Sequence, residues 1–155
     1  MRRRRADRRE IPPDTRYNSV KVQTFINHVL KRGKKNLATK MVYDSFDIIG
    51  EKTGQDPLEV FEQAIENASP RMEVRPRRIG GATYQIPMEV SPHRQFTLAT
   101  RWILESARSR TGEQFPDQLA SELLSASNNE GTAVRKKEEA HRMAKANRAF
   151  SHFRY

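Results

Sequence analysis

The chain has 155 residues, enough for one domain with tails, and it is strongly basic, with 29 Lys and Arg residues against 19 Asp and Glu residues. Its net charge of +10 favours a polyanionic partner. The absence of cysteine excludes a disulfide framework and a cysteine-ligated zinc site, and no apolar run approaches the roughly 18 residues that a membrane span needs.

The charges are segregated into blocks along the chain. Residues 1–40, 71–112 and 131–155 have net charges of +10, +5 and +5, whereas residues 41–70 and 113–130 have net charges of −6 and −4. A protein that is merely soluble intersperses the two signs. We therefore expect a fold that gathers the basic blocks on one face. The alternative is a set of solvated helix faces, which does not require such blocks.

The N-terminal segment is rich in arginine, with six in its first nine residues: Arg2, Arg3, Arg4, Arg5, Arg8 and Arg9. Like charges repel and little apolar surface is available to bury, so residues 1–17 are predicted to be a basic extension that is disordered when free. Such tails usually order on nucleic acid by neutralising phosphates. A nuclear-localisation patch is the alternative, and the other basic blocks make it less favourable.

Three amphipathic helices are predicted before residue 70. The first spans about 19–32 and the second about 36–49, ending at Gly33 and Gly50 respectively. Leu37 is among the residues predicted to face inward on the second helix. The third helix begins at Asp56-Pro57, where an N-cap carboxylate precedes a proline at the first helical position.

The turn between the first two helices reads Lys31-Arg32-Gly33-Lys34-Lys35. It is not a phosphate loop of the nucleotide-binding kind, because that motif needs a second glycine at position 28, which is His28. A basic turn at two helix ends can still hold an anion through its side chains and free N–H groups. Lys31, Lys34 and Lys35 are therefore candidate phosphate contacts.

Residues 71–91 are predicted to form a β-hairpin around Gly80-Gly81, because glycine accepts the positive φ angles of a two-residue turn. This turn places Arg77 opposite Tyr84 and Arg75 opposite Ile86. Both strands contain a proline, so both must be edges of the sheet. A two-stranded ribbon is marginal by itself. We interpret it as a basic arm held by an anionic partner. The alternative is a hairpin folded back on its own domain.

Three further helices follow, over about 92–109, 116–127 and 132–149. Arg94, Arg101 and Arg108 form a basic face or flank of the first of these. The last is a basic helix with only a narrow apolar stripe, in which Met143 is included, so it should dock on a domain or on nucleic acid. Phe150, Phe153 and Tyr155 are predicted to be a plug on the core, in preference to a platform for stacked bases.

Together these elements indicate a mainly α fold, with about six helices in a single bundle-like domain over 18–155 and one protruding basic hairpin. No cofactor is predicted. The four histidines show no zinc-binding spacing, and the paired acids lie on exposed helix faces. An enzyme is therefore not expected.

Several segments of the chain resemble a known family, and the resemblance covers the chain from end to end. They are Arg77-Arg78-Ile79-Gly80-Gly81-Ala82-Thr83-Tyr84-Gln85-Ile86-Pro87 and the run from Gly131 to Phe150, with weaker support from Arg101-Trp102-Ile103 and Gly33-Lys34-Lys35. The chain is similar to bacterial small-subunit ribosomal protein seven. Ala82 stands where that family more often has Ser or Thr, and Lys145 stands where it usually has Glu.

The resemblance implies a mostly helical protein with a protruding hairpin that binds the 3′ major domain of small-subunit ribosomal RNA and nucleates assembly of the head. It implies that the hairpin points toward the exit-site transfer RNA and the messenger RNA path, and that ribosomal protein number eleven of the same subunit is a neighbour. The chain would be a monomer within a cytoplasmic or organellar ribosome, with no membrane partner.

Two sets of contact residues follow from this hypothesis. Ribosomal RNA is expected to contact Arg2, Arg3, Arg4, Arg5, Arg8, Arg9, Lys31, Lys34, Lys35, Arg75, Arg77, Arg78, Arg94, Arg101, Arg108, Lys136, Lys137 and Arg142. The part of the hairpin near transfer RNA and messenger RNA is Arg78, Gly80, Gly81, Ala82, Thr83 and Tyr84. One alternative is a DNA-binding architectural or helix-turn-helix protein, which the first two helices superficially suit. The other is a module that docks on proteins alone.

Overall fold

The computed structural model describes residue 4 and residues 6–154, and it confirms the mainly helical class. The elements are α1 Val20–Val29, α2 Lys35–Thr53, α3 Pro57–Ala68, β1 Met72–Ile79, β2 Ala82–Glu89, α4 Pro92–Ser109, α5 Phe115–Ser127, α6 Gly131–Ala146 and a terminal 3₁₀ helix Arg148–Arg154. Three of the predicted RNA contacts, Arg2, Arg3 and Arg5, lie outside the described residues, as does Tyr155.

Helix α5 lies at the centre of the helical body and packs against α2, α3 and α4. Leu119 and Leu123 on this helix are fully buried. Three phenylalanines fill the space between α1, α2 and α3: the rings of Phe25 and Phe61 are 5.1 Å apart, and those of Phe46 and Phe61 are 5.5 Å apart. Edge-on and tilted aromatic pairs of this kind stabilise a core beyond the apolar area that they bury.

The ends of α1 and α2 differ from the predicted boundaries. Ser19 caps α1 as expected, but the helix ends at Val29, because Leu30 leaves the helical region with a ψ of 127° and Arg32 has a φ of +54°. Helix α2 continues through Gly50 to Thr53 and ends at Gly54, whose φ is +66°. A single glycine is tolerated inside a helix, and the left-handed position that terminates α2 lies four residues further on.

Two residues predicted to be in the core are exposed. Leu37 on α2 is 47% exposed and Met143 on α6 is 45% exposed. The buried face of α2 is centred on Ala38, Val42 and Phe46, so Leu37 lies at the margin of that face, next to a surface groove. Periodicity identified the correct stripe but not the width over which neighbours cover it.

The hairpin has the predicted register, with Ile79 opposite Ala82, Arg77 opposite Tyr84 and Arg75 opposite Ile86. Gly80 and Gly81 have φ angles of +57° and +87°, which only glycine adopts easily at both positions of a tight turn. Residues 75–78 are exposed, whereas Ile86 and Pro87 near the base are buried. The ribbon therefore projects at its tip and is anchored at its base.

Helix α6 holds the base of the hairpin. The Arg71 backbone N–H donates to Nε2 of His141 over 2.9 Å, which requires that nitrogen to be unprotonated. Burial, together with the positive charges of Lys137 and Arg71, lowers the pKa of His141 and keeps the ring neutral.

Phe150 and Phe153 pack on the hairpin, so the prediction that these two residues plug the core was wrong. Helix α6 ends at Ala146, earlier than the predicted residue 149, and the 3₁₀ helix turns back along β2. The Tyr84 ring lies 5.2 Å from that of Phe150 and 5.5 Å from that of Phe153. Arg77 donates from Nη1 to the Phe153 carbonyl over 2.7 Å. One face of the ribbon is thereby covered.

A buried carboxylate joins α4, α5 and α6. Glu122 on α5 is completely buried; its Oε2 accepts from Arg110 over 3.1 Å and its Oε1 accepts from the Ala133 N–H at the start of α6 over 3.4 Å. A Cβ at Gly131 would lie only 3.2 Å from Oε1, and Gly131 has a φ of +90°. Glycine is therefore required where α6 begins over this carboxylate.

A second carboxylate, Asp14, fixes the root of the N-terminal segment. Asp14 is buried, and it accepts from the backbone N–H groups of Arg16, Tyr17 and Ser19 and from the Tyr43 hydroxyl. Burial alone would raise its pKa, but the four hydrogen bonds outweigh this effect and hold the pKa below its usual range. The chain from Asp14 onward is thus tied to α1 and α2.

We predict that Arg110→Ala lowers the free energy of unfolding by about 3 kcal/mol, because it leaves the Glu122 charge buried without a cation. Adding Glu122→Gln should restore most of the loss, since no buried charge then remains. Urea titrations would measure both effects. Arg101→Ala, which removes an exposed arginine from α4, is the control; an equal effect of the two alanine variants would contradict the prediction.

The lowered pKa of Asp14 also predicts how the stability of the protein depends on pH in acid. A carboxyl whose pKa is lower in the folded state contributes stability above its ordinary pKa of 3.8 and loses that contribution as the pH falls through the folded value. Below about pH 4, the free energy of unfolding should therefore fall less steeply for Asp14→Asn than for the parent chain. Asp7→Asn, in the exposed tail, should follow the parent curve.

Candidate nucleic-acid interface

The described part of the tail presents arginines without an acidic partner. Arg4, Arg8 and Arg9 are exposed and lie outside regular structure, and none has a carboxylate within 4 Å in the described part of the chain. Behind them, Arg16 forms a two-pronged ion pair with Asp47 on α2. The structure thus separates an exposed basic extension from a root that is fastened to the body.

The turn between α1 and α2 meets the end of α4. Lys31, Lys34 and Lys35 are all exposed, as a contact with phosphate requires. Arg108 reaches this region from α4, donates from Nη2 to the Val29 carbonyl over 3.2 Å, and lies over the Phe115 ring at 5.8 Å. Two predicted contacts far apart in the sequence, the basic turn and Arg108, therefore come together here.

Three arginines line the exposed face of α4. Arg94, Arg101 and Arg108 are seven residues apart, so they lie within about 40° of one another around the helix and span about 21 Å along it. Glu105 shares this face, but its Oε2 accepts from Nζ of Lys136 on α6 over 2.6 Å. Helix α4 thus extends a basic stripe from the hairpin base to the turn after α1.

At the hairpin base, one carboxylate holds two of the predicted arginines. Glu73 accepts from Arg75 over 2.7 Å and from Nε and Nη2 of Arg94 over 2.8 and 2.9 Å. Burial raises the pKa of Glu73, but the guanidinium groups of Arg94 and Arg75 outweigh this and hold it below its usual range. The three groups together keep one positive charge. Sequence reasoning missed Glu73; its position two residues before Arg75, on the same strand face, was the available signal.

The tip of the hairpin is open to solvent. Arg78, Gly80, Gly81, Ala82 and Thr83 are exposed, and Tyr84 is half-buried beneath the terminal aromatics. Arg78 lies opposite Thr83, on the other ribbon face from Arg77. Arg77 donates to a neutral carbonyl and Arg78 has no acidic partner among the described residues, so the positive charge of neither arginine is neutralised by the protein.

Helix α6 contributes cations of two kinds. Lys136 is neutralised by Glu105, whereas Lys137 is half-buried and Arg142 is exposed, without an acidic partner among the residues described. Lys145 and Arg148, which were not among the predicted contacts, border a groove of about 280 Å³ beside the hairpin. Their proximity to β2 depends on how α6 crosses the ribbon, which no local pattern reveals.

These side chains can bind phosphate. Across residue 4 and residues 6–154, no group of three or more His, Asp or Glu residues is placed to hold a metal ion. Over the same residues, every helix is too short or too polar to cross a bilayer. The chemistry available is that of guanidinium, ammonium and exposed backbone groups.

Comparison with known proteins agrees with this picture. The family described as Ribosomal protein S7p/S5e matches residues 1–148. The chain is 56% identical to the small ribosomal subunit protein uS7 of Thermomicrobium roseum over 99% of both chains. It is 57% identical to the protein of the same name from Thermotoga maritima over 100% of both chains, and 56% identical to that of Chloroflexus aurantiacus over 98% of this chain and 97% of the relative.

The resemblance seen in the hairpin and in α6 is therefore confirmed over the whole chain. The protein is a ribosomal protein of the small subunit, part of the ribosome in the cytoplasm, and not an enzyme. The family match over residues 1–148 and the relatives of full length show that the chain belongs to the ribosomal protein S7p/S5e family.

Proposed function

We propose that the chain binds the 3′ major domain of the small-subunit ribosomal RNA and nucleates assembly of the head. In this proposal the hairpin approaches the exit-site transfer RNA and the messenger RNA path. Membership of a small-subunit ribosomal family supports an RNA partner. The resemblance of residues 77–87 to that family supports the specific RNA domain and the role of the hairpin.

The observation that carries the proposal is a set of exposed cations with no acidic partner in the described structure. They occur on the tail, the turn after α1, the α4 stripe and the hairpin tip, with Arg8, Lys34, Arg101 and Arg78 as examples. Within a protein of net charge +10, such groups repel one another until a polyanion neutralises them. Folded RNA is recognised largely through shape, backbone and 2′-hydroxyl groups, which suits dispersed cations.

Two regions divide this work in the proposal. Residues 1–17 act as a basic RNA-binding extension, and residues 18–155 form the helical domain that carries the hairpin and α6. Asp14 and Arg16 fasten the root of the extension to the helical body. Ordering of the tail on RNA would then start from a fixed point.

The hairpin suits contact with nucleic acid that passes by the protein. Its base is held by Glu73 and His141, and its inner face is covered by Phe150 and Phe153. Among the described residues of the ribbon, the tip and the outer-face residues Arg78, Thr83 and Gln85 are exposed. A rigid arm of this kind can approach a backbone closely, because Gly80 and Gly81 present no side chains. The proposal includes ribosomal protein number eleven as a neighbour and a single copy of this chain in each subunit.

We predict that Arg78→Ala combined with Arg101→Ala weakens RNA binding and leaves stability nearly unchanged, since neither side chain has a protein partner among the described residues. If each arginine contacts one phosphate, the slope of log K against log salt should fall by roughly 0.7–0.9 for each residue removed. Filter binding to the 3′ major domain RNA at several salt concentrations would measure this.

The matched control is Lys40→Ala combined with Lys52→Ala, which removes the same charge from exposed α2 positions outside the predicted contacts. An equal change in slope for both pairs would mean that net charge alone drives binding. Absence of RNA binding by the parent chain would favour a module that docks on proteins alone, and preference for duplex DNA over the RNA would favour a DNA-binding role. Footprinting on the RNA would locate the site.

A further inference from the structure

A groove of about 290 Å³ opens between the end of α1, the start of α2 and the end of α4. Its floor is apolar and includes Leu37, Met41 and Phe115. Leu37 is a large apolar residue left 47% exposed beside other apolar groups. Scattered surface leucines need no explanation, but an apolar surface inside a concave and strongly cationic site suggests a ligand.

The rim of the groove is entirely basic. Lys31, Arg32, Lys34 and Arg108 line it, and its lining contains no carboxylate. None of the four forms an ion pair with an acidic residue in the described chain. Arg108 is held in place by the Val29 carbonyl, with its guanidinium over the Phe115 ring. The groove thus offers a fixed guanidinium and an aromatic ring next to two exposed lysines.

We propose that this groove holds one unpaired nucleotide of the bound RNA, with the base on the apolar floor and the flanking phosphates on the basic rim. Bases that leave a helix stack on aromatic rings and on guanidinium planes, and both are present here. The proposal rests on the RNA-binding function above and specifies it, because it assigns a base contact to a surface otherwise expected to bind only phosphates.

Charge decides between a nucleotide and a peptide as the occupant. An apolar peptide segment would cover the floor but leave four cations without counter-charge at its edges. A nucleotide supplies a flat apolar face and a phosphate on each side. The base can therefore pack on the apolar floor while the phosphates neutralise the cations of the rim. The electrostatic complement of this groove is therefore a nucleic acid strand.

The test separates the base contact from the phosphate contacts. Leu37→Gln replaces an exposed floor residue by a polar one without changing the charge, and Val20→Gln does the same at the opposite end of α1, where Val20 is 51% exposed. For the 3′ major domain RNA, Leu37→Gln should reduce affinity about tenfold, within the range for loss of one stacked base, with an unchanged salt slope. Val20→Gln should bind like the parent chain. Lys31→Ala with Lys34→Ala should instead reduce the slope.

The outcomes distinguish this inference from the function on which it rests. If the parent chain binds the RNA with a steep salt dependence and Leu37→Gln binds like Val20→Gln, the groove proposal is overturned and the RNA-binding function stands. If the parent chain does not bind the RNA, both fail. Thermal unfolding of Leu37→Gln should match that of Val20→Gln, because both positions are exposed; a selective loss of stability would mean that Leu37 is structural and would overturn the proposal.

Photochemical crosslinking gives an independent readout that needs no affinity change. A benzophenone side chain at position 37, in the full chain assembled into small subunits, should form an adduct with a nucleotide. The same group at position 20 serves as the control. An adduct at position 37 with a neighbouring ribosomal protein would show that a protein occupies the groove and would overturn the proposal.

Discussion

Glu73 lies between arginines from two different elements, and the arrangement of the basic surface depends on this contact. Arg75 belongs to β1 and Arg94 to the first turn of α4, so their shared carboxylate fixes the hairpin relative to that helix. The side chain of Glu73 is only 11% exposed, which strengthens the attraction over that of a surface pair. Without this carboxylate, two guanidinium groups would repel each other where the ribbon leaves the body.

From that point the cationic surface follows the regular geometry of α4. A spacing of seven residues keeps Arg94, Arg101 and Arg108 on one side of the helix, and the opposite side packs on α5. Because α5 is buried, the position of the stripe is set by the core. The basic surface is thus an indirect product of apolar packing around Leu119 and Leu123.

Local patterns predicted the elements well where the signal was complete within a few residues. Gly80-Gly81 specified the hairpin register, since a two-residue turn leaves one pairing. Asp56 caps α3 as expected, accepting from the Leu58 N–H over 3.0 Å. Ser91 occupies the cap position of α4 but makes no side-chain hydrogen bond there. The end of α2 was missed because Gly50 and Gly54 are equally plausible stops in sequence, and only the backbone conformation of Gly54 distinguishes them.

By itself the sequence determined the helical class, the hairpin with its register, and the basic character of the segments predicted to contact RNA, because each depends on near neighbours or on composition. Only the tertiary structure decided which charges are neutralised, as for Glu73 and Glu122, and which apolar groups stay exposed, as for Leu37. It also decided that Phe150 and Phe153 cover the hairpin and not the core. These outcomes require contacts between residues far apart in the chain, and the periodicity of one element contains no information about which surface of another will meet it.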